Sequence, residues 1–383
     1  MAKEVFFAKG IFTEYGIERH KGIVVEDGRF ENFVRRSEIP YDATVHEYPD
    51  SYMLPGLIDT HIHGAVGADT MDAAPDAIKK IGDYLLSQGT TAFMPTTVTA
   101  PLEDIYKAIS NVKNCQSSLH TARILGMFIE GPYITSEHKG AHPENCIRPL
   151  NGEEILRMMQ EGPVKSIIIA PEKEHAAGFT YWLTHKVGMK VSLGHSSANY
   201  DEACACFDAG ADAAVHTYCG MSSLHHRNPN LLGAALTRDD IYTELIADGI
   251  HVLAPAIDIL LRCKPQDKVI LISDAIRAAG LANGRYMLGI LPFNVKDGVA
   301  RIDNGNIAGS TSTLLKEVKF LIEEAGAKPL AAVKAASLNP AKRYGLEKEL
   351  GSIKSGKYAD FIIVSPDYNI KETWLNGSCV FHI

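Results

Sequence analysis

The sequence has no Cys-x-x-Cys pair, no Gly-x-Ser-x-Gly elbow, no basic cluster and no apolar run long enough to span a bilayer. Each absence narrows the function. The seven cysteines are odd in number and scattered, and Cys204 and Cys206 fall in a helical pattern that sets them about 200° apart. A disulfide framework is not expected, and reduced thiols in a cytoplasm are. Without the elbow, a serine nucleophile on an α/β-hydrolase turn is not expected either. Net charge is −8, from 38 Lys+Arg against 46 Asp+Glu. With nothing basic to follow a phosphate backbone, nucleic acid is not an expected partner, although a small anion needs only local charge. No membrane span is expected. Met1 to Val5 carries lysine and glutamate before any apolar run, so no secretory leader is expected there.

What is present is an ordinary globular composition: 383 residues, 46% hydrophobic, 8% aromatic and 22% charged. That length suits one large domain with a small one attached. Residues 1–52 read as short strands at 5–8, 22–26 and 30–33, with Glu26-Asp27-Gly28 as a hairpin turn. This is too little chain to cover both faces of a sheet. The C-terminal segment is strand-like again, with turns at Gly356 and Asn376-Gly377. Residues 1–52 and 347–383 are therefore expected to pair into one discontinuous β-sandwich, with residues 53–346 forming the catalytic domain.

That middle region alternates strand and helix patterns. Apolar, β-prone runs end near His63, Thr97, Glu130, Ala170, His195, His216, Ala247 and Ser273, with helices between most of them, for example at 75–88, 199–209 and 254–263. Gly89, Gly188 and Gly210 stand where helices stop before the next strand, as C′ residues do. Eight such units predict a (β/α)8 TIM barrel, with a doubly wound sheet as the alternative. In a barrel, function gathers at the C-terminal strand ends.

Ligand-type residues lie at those ends. His61 and His63 are two apart in a strand, so both imidazoles face one side. Neutral imidazole nitrogen binds zinc and similar ions at about 2.0–2.1 Å. Glu130 ends the third strand, His195 the fifth and His216 the sixth; His251 follows the seventh and Asp274 the eighth. Four imidazoles and two carboxylates (His61, His63, His195, His216, Glu130, Asp274) converging on one mouth suit one or two divalent metals, zinc, iron or similar.

The run from Leu54-Pro55-Gly56 to His61-Ile62-His63 and the later Gly356-Lys357-Tyr358-Ala359-Asp360-Phe361 resemble the amidohydrolase superfamily. Phe128 to Tyr133, His138 to His142, Leu193 to Ser196, His225-His226-Arg227, Ile246 to His251 and Ser273-Asp274-Ala275 resemble, more narrowly, its N-acetylglucosamine-6-phosphate deacetylase family. The resemblance runs essentially end to end. It implies a TIM barrel that releases acetate from a phosphorylated N-acetyl amino sugar. Glu130, His195 and His216 would hold the principal metal, His61 and His63 would allow a second, and Asp274 would be the catalytic acid/base. His142, Cys219, Gly220 and His251 would meet substrate, and Arg227 would reach the phosphate bound by the other subunit of a homodimer.

The sequence departs from that family where Cys219-Gly220 replaces Asn-Ala or Asn-Gly, and where Asn228 replaces a glutamate beside Arg227. Both changes lie at the substrate end. Gly309-Ser310-Thr311 reads either as a phosphate-binding turn or as an ordinary N-cap. His225 and His226 read as loop packing. Two other readings stand: an amidohydrolase acting on a different N-acyl or cyclic amide, and a non-catalytic barrel used as a binding module. The cyclic-amide members would call for a lysine after strand four, where this sequence has Ala170-Pro171-Glu172.

Overall fold

Strands that are apolar at nearly every position need cover on both faces, the condition met in a parallel sheet wrapped by helices. The computed structural model, which describes residues 3–116 and 118–383, places the expected runs in such a sheet. Its strands are β1 (Leu57–Ile62), β2 (Thr90–Thr97), β3 (Met127–Ile129), β4 (Val164–Ile169), β5 (Lys190–Leu193), β6 (Ala213–Ala214), β7 (Tyr242–Leu245) and β8 (Val269–Leu271). Each pairs in parallel with the next. Beyond their ends β1 and β8 meet as well: Asp274 N–H donates to His61 O (3.0 Å) and His63 N–H to Ala275 O (2.9 Å). The sheet thus closes into a barrel, and the doubly wound alternative falls.

Alternation along the strands sorts side chains between inside and outside. Ile129, Ile167, Ile169, Val191 and Leu193 join the large core beneath the helices, whereas Met94, Phe128, Ile168 and Val215 form a separate buried cluster. Phe128 meets the His61 ring edge to face at 4.8 Å, so this cluster forms the apolar bed under the mouth. Helices lie where the periodicity put them. Pro75–Ser87 begins with proline at its first position, and Tyr200–Asp208 begins with Asn199 and Glu202 in a reciprocal capping box.

The chain ends share a second sheet. Strand Glu4–Phe12 runs parallel to Thr44–Pro55, which pairs antiparallel with Phe361–Val364, and Ile370–Leu375 and Ser378–His382 follow. Gly22–Glu26 and Arg29–Val34 extend the other edge. The sheet curls until Arg29 bridges Tyr358, and its faces enclose Phe6, Ile23, Phe30, Phe361 and Trp374. Two of the three expected turns have two successive positive φ angles, Asp27-Gly28 (49°, 75°) and Asn376-Gly377 (50°, 71°), the conformation that fits a two-residue hairpin. The sequence boundary expected at residue 52 falls within Thr44–Pro55, so one strand leads directly from this sheet toward β1.

One element was not anticipated. After β8 the chain makes an antiparallel three-stranded sheet, Gly284–Leu288, Leu291–Lys296 and Val299–Ile302. Its signal was available: Asp297-Gly298 sits between alternating apolar residues and takes positive φ at both positions (52°, 78°).

Candidate active site

The catalytic mouth is built by polar residues placed just where apolar strands end. Asp59 Oδ1 accepts the N–H groups of His61 and Ser273, both at 3.3 Å, and Thr96 Oγ1 accepts that of Ile62 at 3.0 Å, which fixes the end of β1 between β2 and β8. His61 and His63 then point to one side. Glu130 follows β3, His195 and His216 stand two residues beyond β5 and β6, and Asp274 stands three beyond β8. Three of these non-glycine residues have positive φ: His195 (46°), His216 (26°) and Asp274 (46°). Such backbone costs of order 1–3 kcal/mol per residue and persists where the surroundings hold it.

Glu130 is the hub. Its Oε1 lies 3.1 Å from both His195 Nε2 and His216 Nε2 and 3.4 Å from His61 Nε2; its Oε2 lies 3.0 Å from His63 Nε2. Asp274 Oδ1 lies 3.5 Å from His61 Nε2 and 3.2 Å from His63 Nε2. The donor atoms fall into two groups, His61, His63, Glu130 and Asp274, then Glu130, His195 and His216, each spanning no more than 4.8 Å. Glu130 belongs to both.

Tautomers test whether these atoms fit a cation. His195 Nδ1–H donates to His138 O (2.7 Å) and His216 Nδ1–H to Cys219 O (3.0 Å). Carbonyls only accept, so in the neutral rings both Nε2 atoms carry lone pairs. Those atoms are 3.1 Å apart and face a carboxylate oxygen. Three electron-rich atoms at that spacing repel unless a positive ion stands among them. Imidazole and carboxylate are the donor set for zinc, iron and their neighbours, and backbone carbonyls behind the rings fix the ligating nitrogen.

Burial alone would raise the pKa of Glu130 and Asp274, but the imidazoles of His61 and His63 outweigh it and hold both carboxyls below their usual range. Both are therefore anions at neutral pH. His142 goes the other way: burial brings it down to about 4 despite the facing Glu130. Thr99 N–H donates to its Nδ1 (3.1 Å), so the neutral ring keeps its proton on Nε2, 3.5 Å from Glu130 Oε2. For His251, burial lowers the pKa but Asp248 outweighs it; the Nδ1–Oδ2 distance is 2.7 Å.

A cavity of about 390 Å³ opens over this cluster, lined by His63, Glu130, His142, His195, His216, Cys219, Gly220, His251 and Asp274. His61 lies beneath it, with no exposed surface. Burial pushes the Cys219 thiol up to about 12, so it remains a neutral thiol. Gly220 has φ +58°, and a Cβ there would stand 3.0 Å from His195 Nδ1, so the loop needs glycine to pass the ring. Arg227 is not brought to this cavity. It sits on an exposed loop beyond β6 with its guanidinium on His226 Nε2 (2.7 Å) and, among the described residues, no carboxylate partner.

Sequence reasoning missed the residues that hold the functional ones. Thr99 sets the His142 tautomer, the His138 carbonyl sets that of His195, and Asp248 anchors His251. It also missed the wall supplied by Leu288, Asn306, Ile307 and Ala308. Of Gly309-Ser310-Thr311, Gly309 lines the cavity. Ser310 is not an N-cap: its hydroxyl donates to Ser273 O (2.5 Å), and helix Leu314–Glu323 has Thr313 in that position. After β4, Glu172 accepts from Ser196 Oγ (2.6 Å) and Ser197 N–H (2.5 Å), tying down the loop beyond His195.

Comparison with known proteins agrees with this geometry. The chain is 38% identical over 376 residues to an N-acetylgalactosamine-6-phosphate deacetylase of Escherichia coli O157:H7, covering 97% of this chain and 98% of the relative. It is 41% identical over 332 residues to an N-acetylglucosamine-6-phosphate deacetylase of Vibrio furnissii, covering 86% and 83%. The crystal structure of N-acetylglucosamine-6-phosphate deacetylase from Pasteurella multocida superposes with a TM-score of 0.92 at 28% identity, covering 98% of this chain and 99% of that one. The amidohydrolase family profile matches residues 52–380, most of the chain and all of the barrel, and the protein belongs to that family.

Proposed function

We propose that this enzyme hydrolyses the acetamide of N-acetyl-D-glucosamine 6-phosphate to acetate and D-glucosamine 6-phosphate, a step of amino-sugar catabolism. The observation that carries the reading is the Glu130 hub. One carboxylate faces five imidazoles, four of them candidate ligands, and lies beside a second ionised carboxylate, Asp274, at the floor of a cavity sized for a sugar. The named relatives, all deacetylases of hexosamine 6-phosphates, support the substrate class.

His61, His63, Glu130, His195, His216 and Asp274 would hold one or two divalent ions, zinc or iron. When bound, such an ion makes water acidic near neutral pH and polarises an amide carbonyl. The chain's own groups do the rest. Asp274, ionised at the mouth, takes the proton of the attacking water as its oxygen bonds to the acetyl carbon. It returns that proton to the sugar nitrogen as the C–N bond breaks. His142, neutral with Nε2–H toward the cavity, donates to the acetyl oxygen. His251, fixed through Nδ1 by Asp248, leaves Nε2 for a sugar hydroxyl, and the Cys219-Gly220 turn borders the same space. No acyl-enzyme is required.

The same reading makes residues 1–52 and 347–383 a discontinuous β domain on a catalytic barrel of residues 53–346, in a cytoplasmic homodimer. Support for the dimer comes from Arg227, a guanidinium outside its own cavity with no carboxylate partner among the described residues, and from the exposed Leu224 and Leu253 on neighbouring loops. Guanidinium binds phosphate by charge-assisted, often bidentate bonds, so Arg227 would serve the partner's substrate. No helix among the described residues is long and apolar enough to cross a membrane.

A panel of N-acetylglucosamine and N-acetylgalactosamine, each with and without the 6-phosphate, assayed for acetate release, tests the substrate. The expected result is the highest kcat/KM on N-acetylglucosamine 6-phosphate and a large loss without phosphate. No acetate from either phosphorylated sugar, alongside turnover of a cyclic amide or N-acyl amino acid, would overturn it.

A further inference from the structure

Beneath the mouth lies a buried charged network that the proposed chemistry does not use. Arg343, at the end of helix Leu338–Arg343, has no exposed side-chain surface, and neither has Glu244 on β7. The guanidinium donates through Nη1 to Glu244 Oε1, through Nη2 to Ser192 Oγ (2.8 Å), and through Nη2 and Nε to Asp212 Oδ1 (2.9 and 3.2 Å). Glu244 is thus clamped by one oxygen. Its other oxygen, Oε2, has no hydrogen-bond partner, and it lies 3.8 Å from His61 Nδ1, which has none either.

Two complementary buried atoms left orphaned beside each other point to a contact completed in another state of the site. At 3.8 Å the pair is not a hydrogen bond, and a ring movement of under about 1 Å brings it into the normal range of about 2.7–3.2 Å. His61 Nε2 is the atom facing Glu130 and Asp274, so the gap closes by a turn of the ring about Nε2, which leaves that atom where an ion would meet it. The other rings contrast with it. His195 and His216 are fixed by neutral backbone carbonyls, and His63 Nδ1 has no partner. Among the described residues, His61 is the one of these four rings whose Nδ1 has a carboxylate oxygen within 4.0 Å.

We propose that Glu244, held by Arg343, is a positioning residue: it accepts the Nδ1–H of His61 and so presents Nε2 as a ligand to the ion shared by His61, His63, Glu130 and Asp274. This rests on the metal reading above. Its consequence is that the barrel floor is linked to the metal site, since Arg343 comes from the helix that precedes the C-terminal strands.

Zinc affinity of the purified enzyme, measured by competition with a chromophoric chelator, and the visible spectrum of the cobalt(II)-loaded protein test this. Glu244→Gln keeps the shape but removes the charge. It should weaken the His61-side ion about 10–100-fold, the range for a lost partner behind a ligating histidine, and alter the cobalt bands. Glu244→Met with Arg343→Met removes both buried charges together, a change that proteins tolerate better than removing one, and should show the same loss. Unchanged affinity and cobalt spectrum in folded variants, with only a lowered Tm, would make Glu244 a counter-ion for Arg343 and overturn the proposal. Wild-type protein that binds no metal would overturn the metal reading itself.

Discussion

In the proposed mechanism, Asp274 is the residue on which the chemistry turns. The imidazoles beside it hold it ionised against the effect of burial, and its φ of 46° is one that asparagine tolerates better than most residues. Asp274→Asn should therefore fold, keep the ion held by Glu130, His195 and His216, and bind substrate. It should lose at least about 10²-fold in kcat, the scale of general acid–base catalysis. Steady-state kinetics with metal analysis on the same sample check this, and near wild-type kcat with metal retained would move the proton-carrying role elsewhere. At this scale the sequence was most legible for side chains that announce a ligand by type and spacing, as in His61-Ile62-His63. It was least legible for supports acting through generic atoms. The carbonyl of His138 and the N–H of Thr99 decide which nitrogen of His195 and His142 faces the site, and every residue has such groups.

Among elements, strand ends were readable because apolar runs in a parallel barrel stop where polar function begins. The sheet after β8 was not anticipated because strand and helix were expected to alternate, although Asp297-Gly298 marks its turn. The pairing of the chain ends also leaves a titratable mark. Glu14, just beyond strand Glu4–Phe12, accepts from Ser352 Oγ (2.7 Å), Lys357 Nζ (2.9 Å) and Lys354 Nζ (3.0 Å). Burial alone would raise its pKa, but Lys357, Ser352 and Lys354 outweigh it and bring it down from 4.5 to about 2. A carboxyl depressed on folding stabilises fully above its unfolded value, and the contribution fades as pH falls toward the folded one. Glu14→Gln should cost about 1.5–3 kcal/mol near pH 7, the range for charged hydrogen bonds, and lower the Tm. The difference from wild type should shrink between about pH 4.5 and 2. Thermal melts across that range check it, and a pH-independent difference would mean that packing, not charge, is lost.

For the whole molecule, the sheet shared by the two chain ends was legible because neither end has enough strands to cover a sheet alone. The homodimer is expected from the family resemblance and not from the residues themselves, because association depends on surfaces that a single chain's patterns do not distinguish from ordinary exposed apolar residues. Arg227 offers the sharpest test of assembly. Arg227→Ala should raise KM for the phosphorylated sugar much more than it changes turnover of the unphosphorylated one. Mixed dimers of Arg227→Ala and Asp274→Asn subunits, assayed at low concentrations of the phosphorylated sugar, should regain activity above that of either parent. No regain in dimers verified by mass would mean that each site is built from one chain.

The central claim is that the six converging side chains form a divalent-metal site without which acetate is not released. The most direct test is one preparation in which metal content and acetate release from N-acetylglucosamine 6-phosphate are measured together, before chelation, after it, and after reloading, with His195→Ala alongside. The account predicts one or two ions per chain, activity that disappears with them and returns on adding zinc, iron, manganese or cobalt, and a His195→Ala variant low in both metal and turnover. Full activity in rigorously metal-free protein would contradict it.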